Sequence, residues 1–128
     1  MEEKKVNIFG TEYTIKYVDS IKSEDNLVTD GLCDPANRTI TIVTKQPNNN
    51  LISKQDVNKN TLHELIHAFL DEGQYLEYSD NEPLIEWLAR CFYSILKQDV
   101  FHYLDQLGLS YTLPDQQLEI NFDGLEGK

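Results

Sequence analysis

The segment TLHELIHA, Thr61–Ala68, places apolar and polar residues at helical spacing and predicts the central helix of the fold. The same period extends on both sides of the segment, and its apolar positions are Val57, Leu62, Leu65, Ile66, Phe69 and Leu70. Because residues four apart lie one above the other on a helix, His63 and His67 share one face. We therefore expect the apolar face to meet a core and both histidines to face a cleft.

The residues that flank this segment indicate where the helix begins and ends. Ser53 is followed three residues later by Asp56, which approximates a capping box at a helix N-terminus. Gly73 is a residue type at which helices commonly stop. The sequence therefore predicts a helix from about residue 54 to residue 72.

The pattern His63-Glu64-x-x-His67 is the arrangement that zinc peptidases use. Both imidazoles can bind one Zn²⁺ ion, while Glu64 is rotated to the rim of their face. From there its carboxylate is suited to act as general base on a metal-bound water instead of as a ligand. The chain has only three histidines in 128 residues, and two of them stand at ligand spacing. This favours a metal site over two incidental histidines.

A catalytic zinc site takes three protein ligands and keeps one position open, so another element must supply the third ligand. Pro83 fits the first turn of a second helix, which we expect to run to about Val100. We prefer Glu86 as the ligand, because it lies inside this helix and the small Ala89 one turn on lets the helices approach. Glu82 near the cap is the alternative, although an acidic residue also suits a helix N-terminus without any metal. The expected buried face of this helix consists of Ile85, Leu88, Phe92, Ile95 and Leu96.

Two tyrosines follow the metal-binding helix in a polar loop. Tyr75 and Tyr78 are placed to reach over the cleft, where a hydroxyl could stabilise the developing oxyanion. The alternative is that one or both pack as ordinary aromatic side chains.

Two further residues are weaker candidates for the site. Asp71 continues the line of His63 and His67, but successive helical turns are about 5.4 Å apart, so three such residues cannot converge on one ion. We expect Asp71 to support the site at most, or to be a solvated acid. His102 lies roughly 24 Å beyond Glu86 if the second helix is continuous, and is therefore excluded as a ligand.

The first half of the chain predicts a small sheet. Residues 6–18 (VNIFGTEYTIKYV) contain two β-rich runs around Gly10, which indicates a hairpin or a bend. Arg38–Thr44 (RTITIVT) is the clearest strand, and residues 27–33 should pair with it across the turn at Asp34. Together these elements predict an α+β fold, a small antiparallel sheet packed on two main helices.

Length and composition narrow the possible functions. The 128 residues suit a single domain, with a core at about 5–113, a short strand at 118–122 and a frayed tail at about 123–128.

A formal net charge of −11 repels phosphate backbones, so direct nucleic-acid binding is not expected. The charged N-terminus predicts no secretory signal, and no run of apolar residues is long enough for a membrane span. The two cysteines, Cys33 and Cys91, lie far apart and form neither a disulfide framework nor a Cys-based zinc site. We therefore expect reduced thiols in a cytoplasmic protein.

The order of strand 38–44, H-E-L-I-H helix, loop and E-W-L-A at residues 86–89 resembles the minimal zinc peptidases of phages and mobile elements. This is the ImmA/IrrE-type group within the Glu-ligand zincins. The phrase GLCDPANRTI at residues 31–40, a turn that leads into the strand, is also similar to that group. The resemblance covers about residues 31–96.

The resemblance implies a zinc-dependent endopeptidase whose ligands are His63, His67 and Glu86 and whose base is Glu64. It further implies an antiparallel edge strand above the cleft that pairs with an extended protein or peptide substrate, such as a repressor or regulator. In this chain strand 38–44 would supply that edge, through Thr39, Thr41 and Val43.

The chain departs from the group in two ways, and two other functions remain open. We recognise no partner-binding domain in it, and it differs in the support of the histidines. Some Glu-ligand zincins carry an acid one turn after the ligand Glu to orient a histidine, but Arg90 stands there in this chain.

A first alternative function is a non-catalytic zincin-like protein that binds metal and acts by binding a host partner. A second is an acidic mimic of DNA, for which the histidines would be incidental.

Overall fold

The first element of the fold is a β-hairpin with a two-residue loop. The computed structural model describes residues 2–21, 29–98 and 100, and begins with strand β1 (Glu2–Ile8) paired antiparallel with β2 (Thr11–Val18). Phe9 and Gly10 form the loop with φ of 51° and 89°, the left-handed pair that a type I′ turn requires. The hairpin predicted around Gly10 is confirmed.

The second pair of strands completes a four-stranded sheet. β3 (Gly31–Asp34) pairs antiparallel with β4 (Thr39–Val43), as predicted for the described part of residues 27–33. The strand order is β1-β2-β4-β3, and β2 runs parallel to β4. The sheet is therefore mixed and not wholly antiparallel as predicted, because β4 is parallel to β2 on one side and antiparallel to β3 on the other.

Three helices follow the sheet. α1 (Lys54–Glu72) has the predicted bounds, and the Ser53 hydroxyl caps it by accepting a hydrogen bond from the Asp56 N–H at 3.1 Å. α2 (Leu76–Ser79) is a short helix within the segment predicted to be a loop. α3 (Glu82–Leu96) begins one residue after its cap, Asn81, and ends before the predicted Val100.

Most of the buried apolar residues form two clusters, one on each side of α1. The sheet cluster lies between the strands and α1 and consists of Ile8, Tyr13, Ile15, Ile40, Ile42, Leu65 and Ala68. The helix cluster lies between α1 and α3 and consists of Leu62, Ile66, Ile85, Ala89 and Tyr93. Phe92 and Ile95, expected on the buried face of α3, are 45% and 41% exposed, so that part of the prediction was wrong. The buried stripe passes through Ala89 and Tyr93 instead.

The α+β class predicted from the sequence is confirmed, with α1 packed against the sheet on one side and against α3 on the other. Within the described residues, the helices are too short or too polar to cross a membrane. His102, the expected strand at 118–122 and the expected tail at 123–128 lie outside the described residues.

Candidate metal centre

His63 and His67 project from one face of α1, as their spacing predicts. Their ring centroids are 5.1 Å apart and the ring planes are inclined by 56°. Both side chains are mostly buried, which restricts their orientation. The helix alone therefore supplies two imidazoles to one place.

Glu82, at the start of α3, lies against both histidines. Its Oε1 atom is 2.9 Å from Nε2 of His63 and 3.0 Å from Nε2 of His67. These three residues each offer one ligand atom, and the three atoms lie within 4.8 Å of one another. The structure thus groups the runner-up Glu82, and not the preferred Glu86, with the two imidazoles.

Glu86 contacts the other side of the His63 ring. Its Oε2 atom lies 2.9 Å from Nδ1 of His63, one helical turn along α3 from Glu82. Because Nδ1 and Nε2 point away from each other, a carboxylate at Nδ1 is not beside an ion bound at Nε2. Glu86 therefore does not belong to the three residues that could hold one ion, and its Oε2 atom is placed to accept the Nδ1–H of His63. Its choice as a ligand stays a prediction.

Ser79 is a site residue that the sequence interpretation missed. Its Oγ atom lies 3.1 Å from Nδ1 of His67, and the residue is only 6% exposed. Metal-binding histidines almost always have such a partner on the second nitrogen. A polar residue in the segment between the helices could have been sought on that ground, but nothing in the spacing singles out Ser79.

The donor set fits a metal ion. Both ring nitrogens of His63 face carboxylate oxygens, which only accept hydrogen bonds when ionised, whereas a neutral imidazole has a single N–H. One of these contacts therefore needs either an additional proton on the ring or a cation at Nε2. Ligand atoms around a tetrahedral zinc ion are about 3.3 Å apart, given bonds of about 2.0–2.1 Å. The observed 2.9 and 3.0 Å need to lengthen by only a few tenths of an ångström.

Glu64 lines a cleft of about 420 Å³ that His67 and Glu82 also line. The residue is 8% exposed, and burial raises the pKa of its carboxyl although His63 and His67 act in the opposite direction. Gly31 of β3 makes room for it, because a Cβ there would lie 3.0 Å from Cγ of Glu64. The carboxylate thus lines the same cleft as His67 and Glu82 but does not belong to the group of three that could hold an ion.

The cleft is strongly acidic. Asp71 and Asp80 line it together with Glu64 and Glu82, and His67 is the only basic side chain among the described lining residues. Burial on its own raises the pKa of Glu82, but hydrogen bonds and charge interactions with His63 and His67 outweigh it and leave this pKa below its ordinary value. A cleft lined by one sign of charge concentrates ions of the other sign, here cations. Asp71 lines the cleft, and its supporting role stays a prediction.

The predicted oxyanion residues lie elsewhere. Tyr75 and Tyr78 are exposed, pack against each other with ring centroids 6.1 Å apart, and do not line the cleft. Their role at the oxyanion stays a prediction, since the buried residue of α2 is Ser79 and neither tyrosine is among the residues that line the cleft.

The predicted substrate-binding strand was also misplaced. Thr39, Thr41 and Val43 belong to β4, which pairs with β2 on one side and with β3 on the other. Its backbone is therefore already used within the sheet, and the edge-strand prediction for these residues was wrong. In the described part of the chain, β3 is the sheet edge at the cleft, and Gly31, Leu32 and Cys33 line it.

Comparison of the chain with protein-family models, with curated proteins and with solved structures gave no match in any of the three. The functional interpretation therefore depends on the geometry of this site.

Proposed function

We propose that the protein is a zinc-dependent endopeptidase. The observation that carries the proposal is the convergence of His63, His67 and Glu82, two of which line an open cleft together with the buried carboxylate of Glu64. Two imidazoles and a carboxylate, with space for a further ligand, are the donor set of catalytic zinc sites in peptidases. Nitrogen and carboxylate donors in this combination suit zinc better than they suit calcium or magnesium, which prefer oxygen ligands alone.

In this proposal the residues of the site have separate roles in peptide hydrolysis. His63, His67 and Glu82 would hold the zinc ion, which would supply Lewis-acid chemistry at this place. Glu64 takes a proton from the attacking water and delivers it to the leaving nitrogen as the C–N bond breaks. One water is consumed, and a carboxyl group and an amino group are formed.

The substrate binds along β3 in this proposal. An extended peptide that adds to a sheet edge gains backbone hydrogen bonds, and β3 is the edge next to Glu64. Since Gly31 has no side chain, the backbone of β3 approaches Glu64 closely, which brings a peptide on this edge near the base. This assigns to β3 the part that the family resemblance had suggested for strand 38–44.

Metal analysis tests the proposed centre. The purified protein loaded with zinc and freed of excess should retain about one ion per chain. Glu82→Ala should lose stoichiometric zinc, whereas Glu86→Ala should retain it with an affinity about 10–100-fold lower, the usual effect of removing a residue that supports a ligand. Loss of zinc from Glu86→Ala with retention in Glu82→Ala would reverse the assignment. Failure of the wild-type protein to bind zinc would refute the centre itself.

Glu64→Gln tests the catalytic role separately from the metal. The amide is similar in shape but cannot accept the proton, so cleavage of an unfolded protein such as casein should fall by about 100-fold or more while zinc is retained. Glu77→Gln, the same change on the exposed side of α2, is the matched control and should cleave at the wild-type rate. A zinc-loaded wild-type protein that cleaves neither casein nor a mixed peptide library would contradict the peptidase proposal and favour the partner-binding alternative.

A further inference from the structure

Ser79 meets the His67 ring on the side opposite Glu82. One nitrogen of the ring, Nδ1, lies 3.1 Å from Oγ of Ser79, and the other, Nε2, lies 3.0 Å from Oε1 of Glu82. Ser79 is the buried residue of α2, whereas its neighbours Tyr78 and Asp80 are exposed. Two residues of one short segment therefore contact both nitrogens of the same histidine.

The backbone around Ser79 is fixed at both ends. The Tyr75 N–H donates to the Leu70 carbonyl at 2.8 Å, which ties the start of α2 to the last turns of α1, and the Ser79 N–H donates to the Tyr75 carbonyl at 3.1 Å. Two residues later, the Asn81 side chain accepts the Leu84 N–H at 3.2 Å and caps α3. The Ser79 hydroxyl is consequently held at a defined position relative to both helices.

We propose that Ser79 is the positioning residue of His67, keeping the ring proton on Nδ1 and turning the lone pair of Nε2 toward the metal. A neutral imidazole has one N–H, so donation from Nδ1 to the Ser79 oxygen leaves Nε2 as the only nitrogen able to bind an ion. This inference rests on the metal centre of the proposed function. In this proposal Ser79, in a short helix without a recognisable motif, selects the tautomer of His67.

The two histidines are supported by chemically different groups. His63 is supported by the carboxylate of Glu86, whose side chain is 58% exposed, and His67 by a buried hydroxyl. Solvent can replace Glu86 readily if it is removed. Removal of the Ser79 hydroxyl instead leaves a buried N–H without its acceptor, a loss that water compensates less well.

The test is the zinc affinity of Ser79 variants, measured by competition with a chromophoric chelator. Ser79→Ala should raise the dissociation constant for zinc by about 10–100-fold, and Ser79→Thr, which keeps the hydroxyl, should stay within about 3-fold of wild type. Ser94→Ala, the same change at an exposed position of α3, is the control and should leave the affinity unaltered. A Ser79→Ala protein that binds zinc as tightly as Ser94→Ala would overturn the inference and leave the metal centre intact.

A measurement on the unaltered protein covers the case in which Ser79→Ala fails to fold. In the zinc-loaded wild-type protein, ¹⁵N NMR of the histidine rings should show His67 with a protonated Nδ1 and a metal-bound Nε2. A metal-bound Nδ1 would overturn the proposal for Ser79. Absence of zinc binding by the wild-type protein would instead remove the centre on which the proposal rests.

Discussion

α1 makes two large apolar contacts, one with the sheet and one with α3. The two contacts differ in which parts of the molecule they join. The sheet cluster joins three strands to α1 through fully buried branched residues such as Ile40 and Ile42. The helix cluster is smaller, and it joins α1 to the one helix that carries Glu82 and Glu86. The sheet cluster therefore determines the stability of the scaffold, while the helix cluster also sets the distance between the histidines and the carboxylates.

The largest effect should come from truncating an isoleucine in either cluster. Ile40 and Ile85 are both fully buried, one in each cluster, and replacement by alanine should lower the free energy of unfolding by about 2–5 kcal/mol in both cases. The smaller changes Ile40→Val and Ile85→Val separate the two clusters. Ile85→Val should weaken zinc binding and Ile40→Val should not, as measured by chelator competition, because only Ile85 lies in the helix cluster. Equal zinc affinities in the two valine variants would show that the helix cluster does not set the ligand spacing.

Overfilling the helix cluster should have the next largest effect. Ala89 is buried against α1, and Ala89→Leu inserts a larger side chain where the helices approach, at a cost of about 1–3 kcal/mol in unfolding free energy. Zinc affinity should fall as well, because α3 must move away from His63 and His67. Arg90→Leu introduces the same side chain at an exposed neighbour and is the control for both readouts. Tight zinc binding by Ala89→Leu would contradict the proposed coupling.

The helix caps offer a matched pair with a smaller effect. Ser53 caps α1 ten residues before His63, and Asn81 caps α3 directly before Glu82. Replacement of either residue by alanine should lower the unfolding free energy by about 1 kcal/mol. Zinc affinity should decrease only in Asn81→Ala, because fraying at that end moves a ligand. A similar decrease in Ser53→Ala would indicate that affinity follows global stability alone.

The smallest change in stability is expected at the sheet edge beside the base. Gly31→Ala adds a Cβ 3.0 Å from Cγ and 3.1 Å from Oε2 of Glu64, so the carboxylate must shift. Zinc affinity should stay at the wild-type value, while kcat/KM for peptide cleavage should fall by about 10-fold, because general-base catalysis is sensitive to position. Wild-type cleavage by this variant would show that Glu64 tolerates displacement and is less tightly positioned than the structure indicates.

Local sequence patterns predicted the elements of the fold well and their lateral arrangement less well. The bounds of α1 followed from the Ser53 cap and the apolar period, and the hairpin followed from Gly10 between two β-rich runs. The position of β4 inside the sheet did not follow, since alternating burial is the same for an edge strand and a central strand. The sequence of a strand reports which faces are covered, and only the assembled sheet shows which neighbours lie beside it.

The amino-acid sequence by itself determined that His63, Glu64 and His67 share one region of one helix, because a spacing of four residues fixes their relation within α1. Only the tertiary structure decided that Glu82 meets Nε2 of both histidines, that Glu86 meets Nδ1 of His63, and that Ser79 meets Nδ1 of His67. The physical reason is that these contacts depend on how far α3 and α2 lie along α1 and how each is rotated. Packing in the helix cluster sets the position of α3, and the hydrogen bond from the Tyr75 N–H to the Leu70 carbonyl ties α2 to α1. Spacing within a single element encodes neither of these.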